Sequence, residues 1–146
     1  MSGLSVMVVG CGDVGGRLAR QMLARGWQVS GLRRSVGQLP AGVVPVAADL
    51  SVPSIPGAWP QRAPDYLVYC VAASQHDEAG YQAAYVDGLR HVLAWLTERG
   101  QRPRRLLFVS SSSVYAQKDG EWIEEGAATE PEGYSGRLML QAERLA

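Results

Sequence analysis

Gly10-Cys11-Gly12-Asp13-Val14-Gly15 spaces its glycines as G-x-G-x-x-G, directly after an apolar run at residues 4–9. Between a strand and a helix, each glycine has its own task. Gly10 permits the tight turn, Gly12 lets the backbone approach a pyrophosphate, and Gly15 lets the helix pack on the strand. The first-turn N–H groups and the positive end of the helix dipole then face the phosphates. Cys11, Asp13 and Val14 complete the turn, with Cys11 read as a small loop residue rather than a reactive thiol. A glycine-rich turn without a ligand is the plainer alternative.

A carboxylate about 20 residues beyond such a turn would hydrogen-bond the ribose hydroxyls of NAD(H). Arg33 and Arg34 stand there instead, and no Asp or Glu lies between Asp13 and Asp49. Guanidinium groups grip a phosphate bidentately, so the pair points to NADP(H) over NAD(H). Two solvated arginines at a strand end are the other reading. Asp49 and Leu50 are expected to line the adenine edge.

The run Ser110-Ser111-Ser112-Ser113-Val114-Tyr115 follows another apolar segment and could present a hydroxyl to a substrate oxygen. Tyr134 lies 23 residues after Ser111, with Arg137 one helical turn on. A phenol near a fixed cation has its ionised form favoured, as tyrosine acid–base chemistry requires. Tyr134 as packing and Arg137 as a solvated charge remain the alternative.

The elements that must position these residues are legible as alternation. Strands are expected at residues 4–9, 27–32, 43–47, 66–72 and 105–110, and helices at 14–23, 81–96 and from 134 onward. Gly26 and Gly100 close the first two helices. Residues 52–64 carry Pro53, Pro56, Pro60 and Pro64, which argues for an irregular connection. Trp59, Trp95 and Trp122 read as packing residues, and His91 as a boundary residue. Alternating strands and helices with two-sided apolar strands imply an α/β, doubly wound parallel sheet of the Rossmann type, in strand order 3-2-1-4-5.

The 146 residues form one domain, 47% hydrophobic and 19% charged, with fourteen basic residues against fourteen acidic ones. Zero net charge gives no footprint for nucleic acid or an anionic membrane. Two cysteines are too few for a disulfide framework or a zinc site, so no metal is expected. Without a signal peptide or a membrane-length apolar run, a cytoplasmic protein is the default expectation.

Taken together, the glycine turn, Ala72-Ala73, the run from Phe108 to Tyr115, and Tyr134 opening a helix with Glu143 beyond it resemble the short-chain dehydrogenase/reductase superfamily. The resemblance is to its NAD(P)-dependent epimerase/dehydratase branch, and it extends over essentially the whole chain. It implies Ser111 as the serine that orients a substrate oxygen and Tyr134 as the acid–base group, exchanging a proton while hydride moves to or from a nicotinamide. It implies Ala72 and Ala73 as the segment beneath the cofactor. Three departures stand out. The family's Tyr-x-x-x-Lys is here Tyr134-Ser135-Gly136-Arg137-Leu138, so Arg137 is the candidate supporting charge, and the chain's single lysine, Lys118, lies off the motif. The glycine spacing is that of atypical members. Relatives also continue into a C-terminal substrate domain, absent here, as a truncated fragment would lack it.

The expected function is an NADP(H)-dependent oxidoreductase, or a sugar-nucleotide epimerase/dehydratase-like protein, acting on a hydroxyl or carbonyl group of a small-molecule substrate. The alternative is a non-catalytic NADP(H)-binding, redox-sensing module. Tyr81, Tyr85 and Leu89 on the helix around 79–99 are expected to offer a homodimer face.

Overall fold

The computed structural model describes residues 3–115, 120–131 and 133–146. Five parallel strands form one sheet: β1 (Ser5–Val9), β2 (Gln28–Arg33), β3 (Val44–Ala47), β4 (Tyr66–Tyr69) and β5 (Arg105–Phe108). Their order is β3-β2-β1-β4-β5, the doubly wound order expected from the sequence. The central strand is flanked on both sides, with Val8 opposite Gly31 of β2 and Val68 of β4. Its side chains alternate between two cores, as the period of a strand requires.

Val6 and Val8 face α1 (Asp13–Ala24), where Ala19, Leu18, Met22 and Leu23 cover them. Met7 and Val9 face the opposite core, built with Leu67 and Tyr69. Over that core pack α3 (Gly88–Glu98), through Leu89, Val92, Trp95 and Leu96, and α4 (Tyr134–Leu145), through Leu138 and Ala142. Both loop ends lie where expected: Gly26 and Gly100 take positive φ as α1 and α3 close.

The proline segment at 52–64 is irregular, as its composition requires, yet firmly attached. Trp59 is buried edge-on against Trp95, ring centres 5.5 Å apart. Trp59 Nε1 donates to Gln101 Oε1 at 2.9 Å, Gln101 Nε2 donates to the Pro60 carbonyl at 2.9 Å, and Trp95 Nε1 to the Pro53 carbonyl at 2.8 Å. These bonds satisfy buried donors whose loss would each cost about 1–3 kcal/mol. A short clip thus covers the sheet where a longer crossover would carry a helix.

Two expectations need correction. Trp122 is not packed but fully exposed, at 101%. The helix expected around 79–99 is present but not as one regular α-helix: α2 (Glu78–Tyr81) passes through a π-helical segment (Gln82–Asp87) before α3. On that helix Leu89 is wholly buried, and Tyr81 and Tyr85 are partly buried against the same core. β4 and β5 also end three and two residues sooner than their apolar runs suggest, and Val71, Ala72, Val109 and Ser110 beyond them line the cavities described next.

Candidate functional site

The glycine turn is fixed by close approach on two sides and left open on the third. Gly10 has φ +84°, and a Cβ there would stand 2.7 Å from Val71 Cα. A Cβ on Gly15 would stand 2.7 Å from the Gly10 carbonyl oxygen and 2.8 Å from Val8 Cγ1, so α1 and β1 meet there. The N–H groups of Gly10 and Cys11 both donate to the Leu32 carbonyl, at 3.0 and 3.1 Å. By contrast, nothing lies within 4 Å of a Cβ placed on Gly12. Gly12 caps α1 without any side chain occupying the first-turn N–H groups. Open space beside a bare helix N-terminus fits a pyrophosphate, and the residues present therefore suit a dinucleotide. Asp13, at the same helix end, is paired with Arg17 at 3.4 Å, which tempers its repulsion of phosphate.

A cleft of about 680 Å³ opens from this turn. Of the residues singled out in the sequence, Gly10, Gly12, Asp13, Val14, Arg33, Arg34, Asp49, Leu50 and Ala72 line it. Cys11, Gly15 and Ala73 stand behind the wall instead. Cys11 is buried, its sulfur over Gly31, where an added Cβ would come within 3.0 Å of it. Burial pushes the Cys11 thiol up, against the pull of Arg33 and Arg20, and pushes Cys70 up to about 11. Both thiols are thus protonated and unreactive near neutral pH. Ala73 N–H donates to Tyr85 Oη at 3.3 Å.

At the far end of the cleft, Arg33 Nη1 donates to the Cys11 carbonyl at 3.3 Å and Nη2 to Gln38 Oε1 at 3.1 Å. This lays its guanidinium along the back of the glycine turn. Arg34 is exposed on the same wall. Asp49 accepts from Ser51 Oγ at 2.7 Å and Ser51 N–H at 2.9 Å. Those bonds, with Arg34 as a lesser cause, hold its carboxyl below the usual range. His91 Nδ1 donates to the Leu50 carbonyl at 2.6 Å, which ties the cleft floor to α3. Sequence reasoning missed Ser35, Ser74 and Gln75 on the walls, since single polar loop residues carry no spacing signal.

A second cavity, about 240 Å³, shares Val14, Cys70, Val71 and Ala72 with the first. Tyr81, Tyr85, Val109, Ser110, Ser111 and Met139 complete it. Ser110 Oγ donates to Glu143 Oε1 at 2.5 Å, bridging the end of β5 to α4. Ser111 Oγ accepts the Ser113 N–H at 3.1 Å. Gly136 sets how near α4 comes, because a Cβ there would fall on the Ser113 carbonyl and on Pro131.

Tyr134 and Arg137 line neither cavity. Tyr134 Oη donates to the His76 carbonyl at 2.9 Å, and its ring meets Tyr81 edge-on at 5.6 Å. Arg137 is exposed, its Nε donating to the Gly133 carbonyl at 3.4 Å. The two side chains are engaged with different partners. Leu138, at the position of the family lysine, is 8% exposed within the core. Lys118 lies outside the described residues. Asp77 caps α2 by accepting the Gly80 N–H at 2.7 Å. Tyr81 and Tyr85, read from the sequence as the apolar face of a helix, are the residues that reasoning missed. Their i, i+4 spacing is that of an ordinary helix face and carries no signal of a cavity. Among the described residues, no cluster of three or more His, Cys, Asp or Glu could hold a metal, and no helix is long and apolar enough to cross a membrane.

Against known families, residues 6–137 match the model of the NAD dependent epimerase/dehydratase family. Among solved structures, a candidate NAD-dependent epimerase/dehydratase from Methylobacillus flagellatus is similar at 40% identity and TM-score 0.78, over 99% of this chain and 50% of that one. A UDP-galactose 4-epimerase is similar in fold at 20% identity and TM-score 0.81, over 97% of this chain and 50% of that one. A short-chain dehydrogenase/reductase superfamily protein from Agrobacterium tumefaciens with bound NAD follows at 24% identity and TM-score 0.74, over 97% and 43%. The chain thus spans about half the length of these structures. No curated protein gives a significant match.

Proposed function

Because the chain belongs to the NAD-dependent epimerase/dehydratase family, we propose that it binds NADP(H) in preference to NAD(H) and serves oxidoreduction at a hydroxyl or carbonyl group, a sugar nucleotide being the substrate class. The observation that carries this reading is the open side of Gly12 at a bare helix N-terminus, in one cleft with Arg33 and Arg34. Gly10, Gly12 and the first turn of α1 would hold the pyrophosphate. Arg34, with Arg33 behind it, would grip the 2′-phosphate, since no carboxylate stands at the end of β2 to claim the ribose. Asp49 and Leu50 would border the adenine, and Val71 and Ala72 would pass beneath the cofactor toward the second cavity.

A bound dinucleotide would supply or accept the hydride. Ser111 would orient the substrate oxygen from the cavity wall. Tyr134, the acid–base residue by resemblance, would have to exchange the His76 carbonyl for that oxygen, with Arg137 turning from Gly133 to support it.

One observation favours a second reading, a non-catalytic NADP(H)-binding module. Leu138 fills the core where the family lysine would serve the tyrosine and the nicotinamide ribose.

The test is calorimetric titration with NADPH and NADH, repeated on Arg34→Ala and Arg33→Ala. NADPH is expected to bind at least tenfold tighter, about 1.4 kcal/mol, with the preference lost in the variants. Equal binding of the two nucleotides would remove the NADP(H) assignment, and binding of neither would remove the whole reading. If NADPH binds, a panel of sugar nucleotides separates the enzyme from the sensor, because only the enzyme converts a panel member to product, with or without net oxidation of the nucleotide.

A further inference from the structure

The π-helical segment Gln82–Asp87 has a cause in the strand beneath it. In an α-helix the Gly88 N–H would donate to the carbonyl four residues back, that of Ala84. Here it donates one residue further back, to the Ala83 carbonyl. The Ala84 carbonyl accepts from the Tyr69 hydroxyl instead. Tyr69 ends β4 and is wholly buried in the core that α3 covers. Burial above all, with Tyr85 and Asp87 adding to it, pushes this phenol far up, so it stays protonated and remains a donor near neutral pH. Gly88 is what lets the phenol arrive. A Cβ there would stand 2.5 Å from Tyr69 Oη, while the Ala83 carbonyl oxygen would lie at 3.3 Å and Leu50 Cβ at 3.4 Å. Across the same segment, Gln82 Nε2 donates to Asp87 Oδ1 at 2.9 Å. An α-helix would set residues five apart roughly 140° round its axis, so this pair also belongs to the wider turn.

The register matters because this stretch of helix is the wall that both cavities share. Ala83 and Ala84 line the nucleotide cleft, and Tyr81 and Tyr85 line the second cavity. Tyr85 Oη also accepts the Ala73 N–H at 3.3 Å, which braces the segment after β4. A π turn inserts an extra residue into the helical repeat and shifts the faces on its two sides, a feature frequent at functional sites. Leu89, Val92 and Trp95 anchor α3 in the core on the far side of the turn. Closing the turn to α-helical pitch would therefore leave α3 in place and rotate the residues before it by about 100°, the step of one residue. Ala83, Ala84 and Tyr85 would then leave the positions from which they shape the two cavities.

We propose that Tyr69 is a positioning residue for the nucleotide: by claiming the Ala84 carbonyl, its phenol holds the segment in the π register and so fixes the wall made by Ala83, Ala84 and Tyr85. The inference rests on the nucleotide reading above and deepens it, adding a residue that lies behind the site and sets its shape. Gly88 is the second half of the device, because the phenol oxygen occupies the space that a side chain at position 88 would need.

The test is a double-mutant cycle of Tyr69→Phe and Gly88→Ala in the full chain, read in three ways. Nuclear magnetic resonance couplings through the hydrogen bond identify the acceptor of the residue 88 N–H. That acceptor is expected to be Ala83 in the wild type and Ala84 in Tyr69→Phe and in the double variant. Thermal unfolding reads the coupling of the two positions. Gly88→Ala alone should lower the melting temperature, because its methyl meets Tyr69 Oη. In the Tyr69→Phe background the same substitution should raise it, because that oxygen is gone. Calorimetric titration with NADPH then separates positioning from structure. The double variant is expected to melt within a few degrees of the wild type and still bind NADPH at least about tenfold more weakly. An unchanged acceptor in both variants that carry Tyr69→Phe, or a Gly88→Ala effect of the same sign in both backgrounds, overturns the proposal. Should Tyr69→Phe fold poorly by itself, the double variant carries the coupling and titration measurements. If the wild type binds NADPH and the double variant binds it equally well, this inference alone fails. If the wild type binds no nucleotide, the nucleotide reading fails and takes this inference with it.

Discussion

The two halves of the cleft are built by different means. Around the glycine turn, backbone meets backbone: Gly10 against Val71, Gly15 against the Gly10 carbonyl, and two N–H groups on one Leu32 carbonyl. Around the serine run, side chains set the geometry: Ser110 on Glu143, Ser111 on a neighbouring N–H, Tyr134 on the His76 carbonyl, and three tyrosine rings edge to edge. Backbone contacts leave no room for substitution but also none for redirection. Side-chain contacts can be re-aimed at the cost of about one hydrogen bond each. On the proposed function, the first half would be a fixed receptor for the invariant part of a ligand, and the second an adjustable wall for the reacting part.

The sharpest way to break this contrast is Gly10→Ala. The variant forces a left-handed φ on a residue with a Cβ and drives that carbon into the Val71 backbone. A loss of about 3–5 kcal/mol is expected, read by urea unfolding. A loss below about 1 kcal/mol would show that the turn is more yielding than its contacts indicate. Next in size is Leu138→Lys, which restores the family's tyrosine–lysine spacing. Because Leu138 is buried in the core, the variant is expected to cost about 2–4 kcal/mol and to leave nucleotide affinity no better. A variant as stable as the parent, binding NADPH more tightly, would mean that position 138 belongs to the site.

The smallest expected effect is that of Tyr134→Phe. It keeps the ring contact with Tyr81 and removes one partly solvated hydrogen bond, for about 1 kcal/mol or less. Amide exchange in the loop at 74–77 should quicken while exchange in β1 and α1 stays unchanged. Unchanged exchange in that loop would show that the hydroxyl tethers nothing.

The same division explains what the sequence made legible. Strand order follows from the alternation of apolar runs and helical patterns, and the glycine turn from its spacing, with Gly10 and Gly15 required by close backbone approach. The irregular segment at 52–64 follows from its prolines. What hid were contacts between distant residues and a change of helical pitch. Tyr134 and His76 are 58 residues apart, and nothing in either position's type announces a phenol on a main-chain carbonyl. The π segment is invisible in the periodicity of Tyr81, Tyr85 and Leu89, which reads as one ordinary helix face although the first two line a cavity and the third is core. Trp122 misled for the opposite reason: a large aromatic side chain suggests burial, but the loop at 120–127 brings nothing to cover it.

The central claim of the proposed function is that the glycine turn holds a nucleotide, with Gly12 as the point of approach. Calorimetric titration of the wild type and Gly12→Ala with NADPH, alongside their thermal unfolding, tests it most directly. A methyl at Gly12 meets nothing within 4 Å in the protein, so the melting temperature should stay within a degree or two, on the order of 0.5 kcal/mol. NADPH affinity should fall at least tenfold, about 1.4 kcal/mol, because the methyl would occupy the place proposed for the pyrophosphate. Equal affinity in the two proteins, or no binding by the wild type, would contradict the account.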